Sequence, residues 1–407
     1  MLRLFNTSGK KIEPFRPAGK KVVNIFTCGP SVYQRSHIGN FRTFLFEDVL
    51  VRYLEYSGYK VLRGMNFTDI EDKAIAEAEL ERKSIKAVTD KHIREFLREA
   101  RLLGMKIPDY LPRASDPESI DEAAWLIQRL LERKIAYFYR GNVYFDPLKS
   151  PGFGELYGLD MRKWPKKKVR FHKDTYPGMR WNLGDFILWH GCKEGDMVCR
   201  DTAIGSGRPS WNIEDPSMVI RYFHETLSVY CGGIDNLYRH HDYIKAILES
   251  VMPYPAARFW LHCRHLLVNS RKMSKSKGNI LYTDMLGKKG YTYPEIRFFL
   301  IYGHYREELD YSDASMRAAA GKLRDLRRHV RAIERKAGNG ADSGGGAAQR
   351  IRKVFTGSMD NDLAVKGAID GLGCCLAEIT RAALRPSEAA GIAKALREID
   401  GVLGVLL

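Results

Sequence analysis

The chain has 407 residues, 44% of them hydrophobic and 28% charged, an ordinary balance for a globular protein of two or three domains. A formal charge of +17 and a pI near 9.4 point to a polyanionic partner. No apolar run reaches bilayer length and no signal-peptide core opens the sequence, which excludes a membrane span and sets the expectation of a cytoplasmic protein. The seven cysteines are scattered and fit no disulfide framework.

The β-branched run Val22 to Phe26 predicts a buried strand. Phe44, Phe46, Val49, Leu50, Tyr53 and Leu54 recur at helical spacing and predict a helix. The turn between them carries Cys28, Gly29, Pro30, His37, Gly39 and Asn40. Gly39 lets a ligand approach the backbone, and the following helix is expected to offer free N–H groups to phosphate, with His37 and Asn40 donating to the same anion. A second strand is expected at Tyr59 to Met65, leading into Asn66-Phe-Thr-Asp69. Thr68 and Asp69 then either face the cleft beyond the strand ends or cap a helix from Ile70.

Residues 1 to about 112 thus read as a parallel, doubly wound α/β unit, interrupted from about 113 to 200. The interruption holds a helix near Ser119–Arg133, a strand at Asn142–Asp146 and the basic, aromatic-studded segment Arg162–Lys173, suited to RNA. Cys192 and Cys199 lack zinc-ribbon spacing and read as two ordinary thiols. The sheet is expected to resume at Asp185–Trp189, followed by the segment Trp211–Met218 and a strand at Leu227–Cys231. Beyond that strand, Gly232 and Gly233 admit adenine or ribose, and Asp235 accepts from ribose hydroxyls. Lys272-Met-Ser-Lys-Ser-Lys-Gly-Asn279 is a cationic loop suited to clamping polyphosphate.

From Ser312 the pattern turns helical. Met316, Ala320, Leu323, Val330 and Ile333 form one stripe, and Arg317, Lys322, Arg324, Arg327, Arg328, Arg331 and Arg335 form a basic surface. A linker is expected at Ala337–Ala348, then two helices at Ala364–Leu384 and Glu388–Leu406, with Cys374 and Cys375 in the core.

His37-Ile-Gly-Asn40 and Lys272-Met-Ser-Lys-Ser276, in that order, resemble the two signatures of class I aminoacyl-tRNA synthetases, although the first usually ends in His. Cys28-Gly-Pro-Ser-Val-Tyr33, Asn66 to Lys73, Gly207 to Glu214, Gly232 to Asp235 and His240-His241 narrow the resemblance to the cysteinyl subclass, over nearly the whole chain. It implies a Rossmann-like catalytic domain in two halves (1–112 and 201–311), a connective α/β insertion (113–200) and a C-terminal helical bundle (312–407). The family's anticodon-reading domain is expected to be missing. The implied reaction is ATP- and Mg²⁺-dependent activation of cysteine or a relative, then transfer to tRNA. His37, Asn40, Lys272 and Lys275 would act on the phosphates. Gly29, Gly39, Gly232, Gly233, Asp235 and Ser274 would surround ATP. Cys28, Thr68, Trp211, Asp215, Cys231 and His240 would line the amino-acid pocket.

The family holds a zinc ion with two Cys, one His and one Glu. Cys28 and His240 keep two of those positions, Asp215 replaces the other Cys, and Ile244 replaces the Glu. Zinc is therefore expected to be absent, with Cys28, Asp215 and His240 the remaining candidate ligands. Cys231 stands where the family has a pocket histidine. Two other functions stay open: ligation to a small amine, as in the mycothiol-pathway cysteine ligase, and non-catalytic RNA binding.

Overall fold

The computed structural model describes residues 1–19, 22–150, 152–160, 162, 184–274, 277–337 and 345–407. Lys275, the basic segment beyond Arg162 and most of the expected linker lie outside the described residues.

The chain opens with an antiparallel pair, β1 (Arg3–Asn6) and β2 (Lys11–Pro14), where only a parallel sheet was expected. β3 (Val22–Thr27) is buried at five of its six positions, and α1 (Ile38–Tyr56) returns the chain to β4 (Lys60–Met65), parallel to β3. Helices α2 (Asp72–Glu81), α3 (Ile85–Leu102) and α4 (Pro117–Glu132) follow. Pro117 sits in the first turn of α4, where its missing N–H has no partner to lose.

The insertion builds its own antiparallel sheet from β5 (Ala136–Tyr139), β6 (Asn142–Phe145), β7 (Phe186–Gly191) and β8 (Gly207–Pro209). The apolar run at Asp185–Trp189 therefore does not resume the parallel sheet. It pairs with β6, and its Phe186 stacks on Phe145 with ring centroids 4.7 Å apart. Cys192 and Cys199, expected as separate thiols, are joined as a disulfide across the turn after β7, with Cα atoms 5.8 Å apart.

The parallel sheet resumes with α5 (Trp211–Phe223), β9 (Leu227–Gly233), α6 (Asp242–Val251) and β10 (Ala257–Cys263). β9 inserts between β3 and β10, all parallel, giving the order β10-β9-β3-β4. The two faces of this sheet feed two cores: Val23, Ile25, Val229 and Cys231 pack on the side of α1, and Phe26 and Tyr230 pack on the other. A small sheet follows, in which β11 (Leu266–Val268) pairs with β12 (Arg271–Lys272) and, after α7 (Thr283–Lys288) and α8 (Tyr293–Ile301), with β13 (Leu309–Tyr311).

The C-terminal bundle comprises α9 (Asp313–Ala337), α10 (Gly346–Met359), α11 (Val365–Arg381) and α12 (Pro386–Leu403). The five predicted stripe residues of α9 are all buried. α10 was not anticipated and begins inside the span read as linker. Its Ala348, Ile351, Phe355 and Met359 are buried at helical spacing. Cys375 is buried as expected, whereas Cys374 is exposed. Among the described residues no helix is long and apolar enough to cross a membrane.

Two polar clusters are prominent among the contacts that hold the bundle to the rest. The first is β1: the Arg3 N–H donates to the Asp360 carbonyl (2.8 Å), the Asp362 N–H to the Arg3 carbonyl (2.9 Å), and the Phe5 N–H to Asp362 Oδ1 (2.8 Å). The second is Asp48 on α1, fully buried, whose Oδ2 accepts from Arg297 (2.6 Å) and Arg52 (2.8 Å). Arg297 spends its other nitrogens on the carbonyls of Leu403 (2.7 Å) and Leu103 (3.1 Å), at the C-terminal ends of α12 and α3. A guanidinium there meets orphan carbonyls and the negative ends of two helix dipoles. Asp48→Ala would leave Arg297 buried without its counter-charge. Stability should fall by about 3–5 kcal/mol, read as a lowered urea midpoint; an unchanged midpoint would show that the pair does not hold the bundle.

Candidate active site

The carboxyl ends of β3, β4 and β9 open on a cavity of about 260 Å³. Ligands of doubly wound sheets bind at this edge. The cavity wall includes Gly29, His37, Gly39, Asn40, Gly233, Asp235 and Lys272 toward the expected nucleotide end. It includes Cys28, Thr68, Trp211 and His240 toward the expected amino-acid end.

At the nucleotide end the helix start differs from expectation. His37 is the N-cap of α1, and its Nδ1 accepts from the N–H groups of Gly39 (3.1 Å) and Asn40 (3.3 Å). Asn40 Oδ1 accepts from the His37 N–H (3.0 Å), closing a reciprocal cap. Those backbone donors are therefore occupied and are not free for phosphate. Because Nδ1 accepts, the ring proton sits on Nε2, leaving His37 Nε2–H and the Asn40 amide as side-chain donors. Burial pushes His37 down to about 4, so the ring is neutral at pH 7.

Gly39 lines the cavity, and Met273 Cε, the far end of a flexible side chain, stands 2.5 Å from where its Cβ would be, so the second signature stretch lies against the first. Gly29 is constrained by backbone, since a Cβ would fall 1.7 Å from the Asn66 carbonyl oxygen. Gly232 does not reach the wall; its lack of a side chain makes room for His241, whose Cε1 would stand 2.7 Å from a Cβ. Ser274 is also off the wall. Asn279 closes its loop by accepting from the Ser274 N–H (2.9 Å) and donating to the Lys272 carbonyl (3.2 Å).

The floor of the amino-acid end is a buried polar network. Asp215, on α5, accepts on Oδ1 from Asn66 (2.8 Å) and on Oδ2 from Tyr230 (2.9 Å), Cys28 (3.0 Å) and His240 (3.1 Å). Trp211 stacks flat on His240, with centroids 4.0 Å apart. One π turn, Leu237–His241, leads into α6, and both of its histidines are buried. His241 Nε2 lies 2.8 Å from Cys28 Sγ, its Nδ1 is 2.8 Å from His262 Nε2, and His262 Nδ1 is 2.8 Å from Thr7 Oγ1.

Two expected site residues point elsewhere. Cys231 lies on the α1 face of β9, fully buried beside Val229, away from the pocket. Burial, then the nearby Glu47 carboxylate, push its thiol well above the usual cysteine range. Asp69 neither faces the cleft nor caps a helix. It accepts from the Ser115 N–H (2.8 Å) and hydroxyl (2.6 Å), while α2 begins later, after Glu71. Sequence reasoning missed Tyr230, His241, His262 and Arg35. Strand alternation on β9 places Tyr230 opposite Val229 and Cys231, a signal that was there to use. Arg35 bridges Glu99 (2.5 Å) and Asp284 (2.7 Å), joining the turn before α1 to α3 and α7.

Cys28, Asp215 and His240 bring candidate metal-ligand atoms within 4.8 Å of one another. As a donor set they fall short of the one the family uses: a carboxylate stands for the second thiolate, and Ile244, wholly buried in an apolar core, supplies no fourth ligand.

The depressed His37 value sets a pH dependence. The free imidazole titrates at 6.5 and the folded one at about 4, so the unfolded chain takes up the proton first. The stability that His37 contributes should therefore be lost as pH drops from about 6.5 to about 4. His37→Asn keeps a good N-cap residue but removes this group. Its stability, compared with the parent by denaturation between pH 7 and 4, should show a shallower slope; identical slopes would refute the assignment.

Comparison with known proteins agrees with this arrangement. Residues 14–321 match the catalytic domain of class I (C) tRNA synthetases. The cysteine–tRNA ligase of Koribacter versatilis is 35% identical over all of this chain and 82% of its own length. That of Chlamydia muridarum is 33% identical over all of this chain and 88% of its own. Among solved structures, Mycobacterium tuberculosis methionyl-tRNA synthetase bound by methionyl-adenylate covers 94% of this chain and 92% of its own, at 14% identity and a TM-score of 0.65. An Agrobacterium radiobacter K84 LeuRS–tRNA–LeuAMS complex covers 97% and 85%, at 12% identity and a TM-score of 0.67, and these two likenesses speak for the fold alone. With both signature stretches at one sheet edge and a catalytic-domain match over three quarters of its length, the chain belongs to the class I aminoacyl-tRNA synthetases, in the cysteinyl-tRNA synthetase family.

Proposed function

We propose that this protein joins an amino acid to ATP as an aminoacyl-adenylate, releases pyrophosphate, and transfers the aminoacyl group to tRNA. The observation that carries this reading is the contact of the two signature stretches, Gly39 against Met273, at the mouth of one cavity that also holds a polar amino-acid floor. The nucleophile is the amino-acid carboxylate, so no general base is required. Attack on the α-phosphorus builds charge on phosphoryl oxygens, and positioned donors stabilise it. His37 Nε2–H and the Asn40 amide donate from one side, and Lys272 closes from the other, with Lys275 beside it in sequence. Mg²⁺ accompanying ATP shares the phosphate charge. Asp235 accepts from ribose hydroxyls, next to Gly233.

The basic helix α9 supports tRNA as acceptor, with fewer cations than its sequence suggested. Lys322 pairs with Asp370 (2.5 Å), Arg324 with Glu295 (2.7 Å) and Arg328 with Asp325 (2.5 Å), while Arg327 donates to the carbonyls of Val405 and Leu407. Exposed Arg317, Arg331 and Arg335 are the cations this reading assigns to phosphate.

Lys272→Ala and Lys275→Ala should each lower amino-acid-dependent exchange of pyrophosphate into ATP by about 10²–10³-fold, with melting temperature unchanged. Undiminished exchange in both would sink the adenylation assignment. Transfer-RNA binding should weaken steeply with salt through counterion release. Arg331→Ala with Arg335→Ala should reduce that log–log slope by about two. Absence of tRNA binding even at low salt would overturn the acceptor.

A further inference from the structure

Among the described residues that line the cavity, two carry a buried polar atom that nothing satisfies, Gln34 Oε1 in the turn before α1 and His240 Nδ1 at the amino-acid end. His240 is 1% exposed and lines the cavity, its Nε2 engages Asp215, and its Nδ1 has no hydrogen-bond partner. Around it every proton can be directed one way. Thr7 donates to His262, His262 to His241, His241 to the Cys28 sulfur, and Cys28 to Asp215, which also accepts from Tyr230, Asn66 and His240. In that arrangement the carboxylate is the common acceptor, Cys28 is a neutral thiol, and His240 Nδ1 is a bare acceptor stacked on Trp211. A buried acceptor left unpaired is costly, and a ligand donor that meets it recovers that loss.

Resting on the adenylation reading above, we infer that this pocket selects its amino acid without a metal, by a hydrogen bond from a small neutral side chain, a hydroxyl or a thiol, to His240 Nδ1. A thiolate brings no donor to meet that nitrogen. A free thiol is mostly protonated at pH 7, so cysteine still binds, through S–H. Serine brings a better donor in nearly the same shape. A site built to receive a hydrogen bond strongly rejects only analogues that lack the donor, and neither side chain lacks it. Alanine, which does, is the residue such a site excludes.

The test uses the whole protein purified without chelator. Metal content is measured by mass spectrometry, and pyrophosphate exchange is measured with cysteine, serine and alanine on the same preparation. The inference expects substoichiometric zinc and serine exchange within about 200-fold of cysteine. Zinc at one ion per chain overturns it, as does serine weaker than cysteine by about 10⁴-fold or more. His240→Phe keeps a ring on Trp211 and removes the acceptor; KM for cysteine and serine should rise roughly tenfold while KM for ATP holds. Unchanged amino-acid KM values overturn the role of His240, and if the variant does not fold the wild-type ratio decides. Exchange with no amino acid at all defeats the adenylation reading itself, a result distinct from cysteine-only exchange, which defeats only this inference.

Discussion

A single buried carboxylate organises the site. Asp215 has no solvent exposure, and burying an ion without partners is costly. Its partners come from separate elements: Cys28 beyond β3, Asn66 beyond β4, Tyr230 on β9 and His240 on the π turn before α6. Satisfying Asp215 therefore fixes where three strand ends and one helix entry stand relative to each other. Gly29 follows from the same requirement, because the β3 and β4 ends approach so closely that no side chain fits between them.

The nucleotide end is built differently. Its helix start is capped by His37 itself, which removes the anion site that bare N–H groups would make and replaces it with two side-chain donors. Opposite, Lys272 is exposed at the end of a two-residue strand, and its loop is closed by the Asn279 amide.

Much of this was legible in the sequence. Strand β3, helix α1, strand β4 and helix α9 follow from periodicity alone, and the two signature stretches fell at the sheet edge where doubly wound folds bind ligands. The misses have physical causes. Periodicity identifies a strand but not its partners, so Phe186–Gly191 was placed in the wrong sheet. A Gly- and Ala-rich start hid α10, whose helix is stabilised by packing rather than propensity. Cys231 was assigned to the pocket by resemblance, although strand alternation sends it to the opposite face from Tyr230. His241 escaped because a π turn brings neighbouring histidines to one network, a geometry that helical spacing does not anticipate.

The docking of β1 on the bundle has a consequence for how the molecule is made. Phe5 finds its acceptor in Asp362, 357 residues later, so the first strand to leave the ribosome is among the last to be completed. At usual elongation rates the wait is roughly 20–70 s. During that interval the hairpin β1–β2 can dock only on the parallel sheet, where Asn6 donates to the Arg258 carbonyl (2.9 Å) and accepts from the Trp260 N–H (3.0 Å) beside β10. Its contact with the bundle closes only when the chain has passed Asp362, making that contact a late clasp on a body already formed.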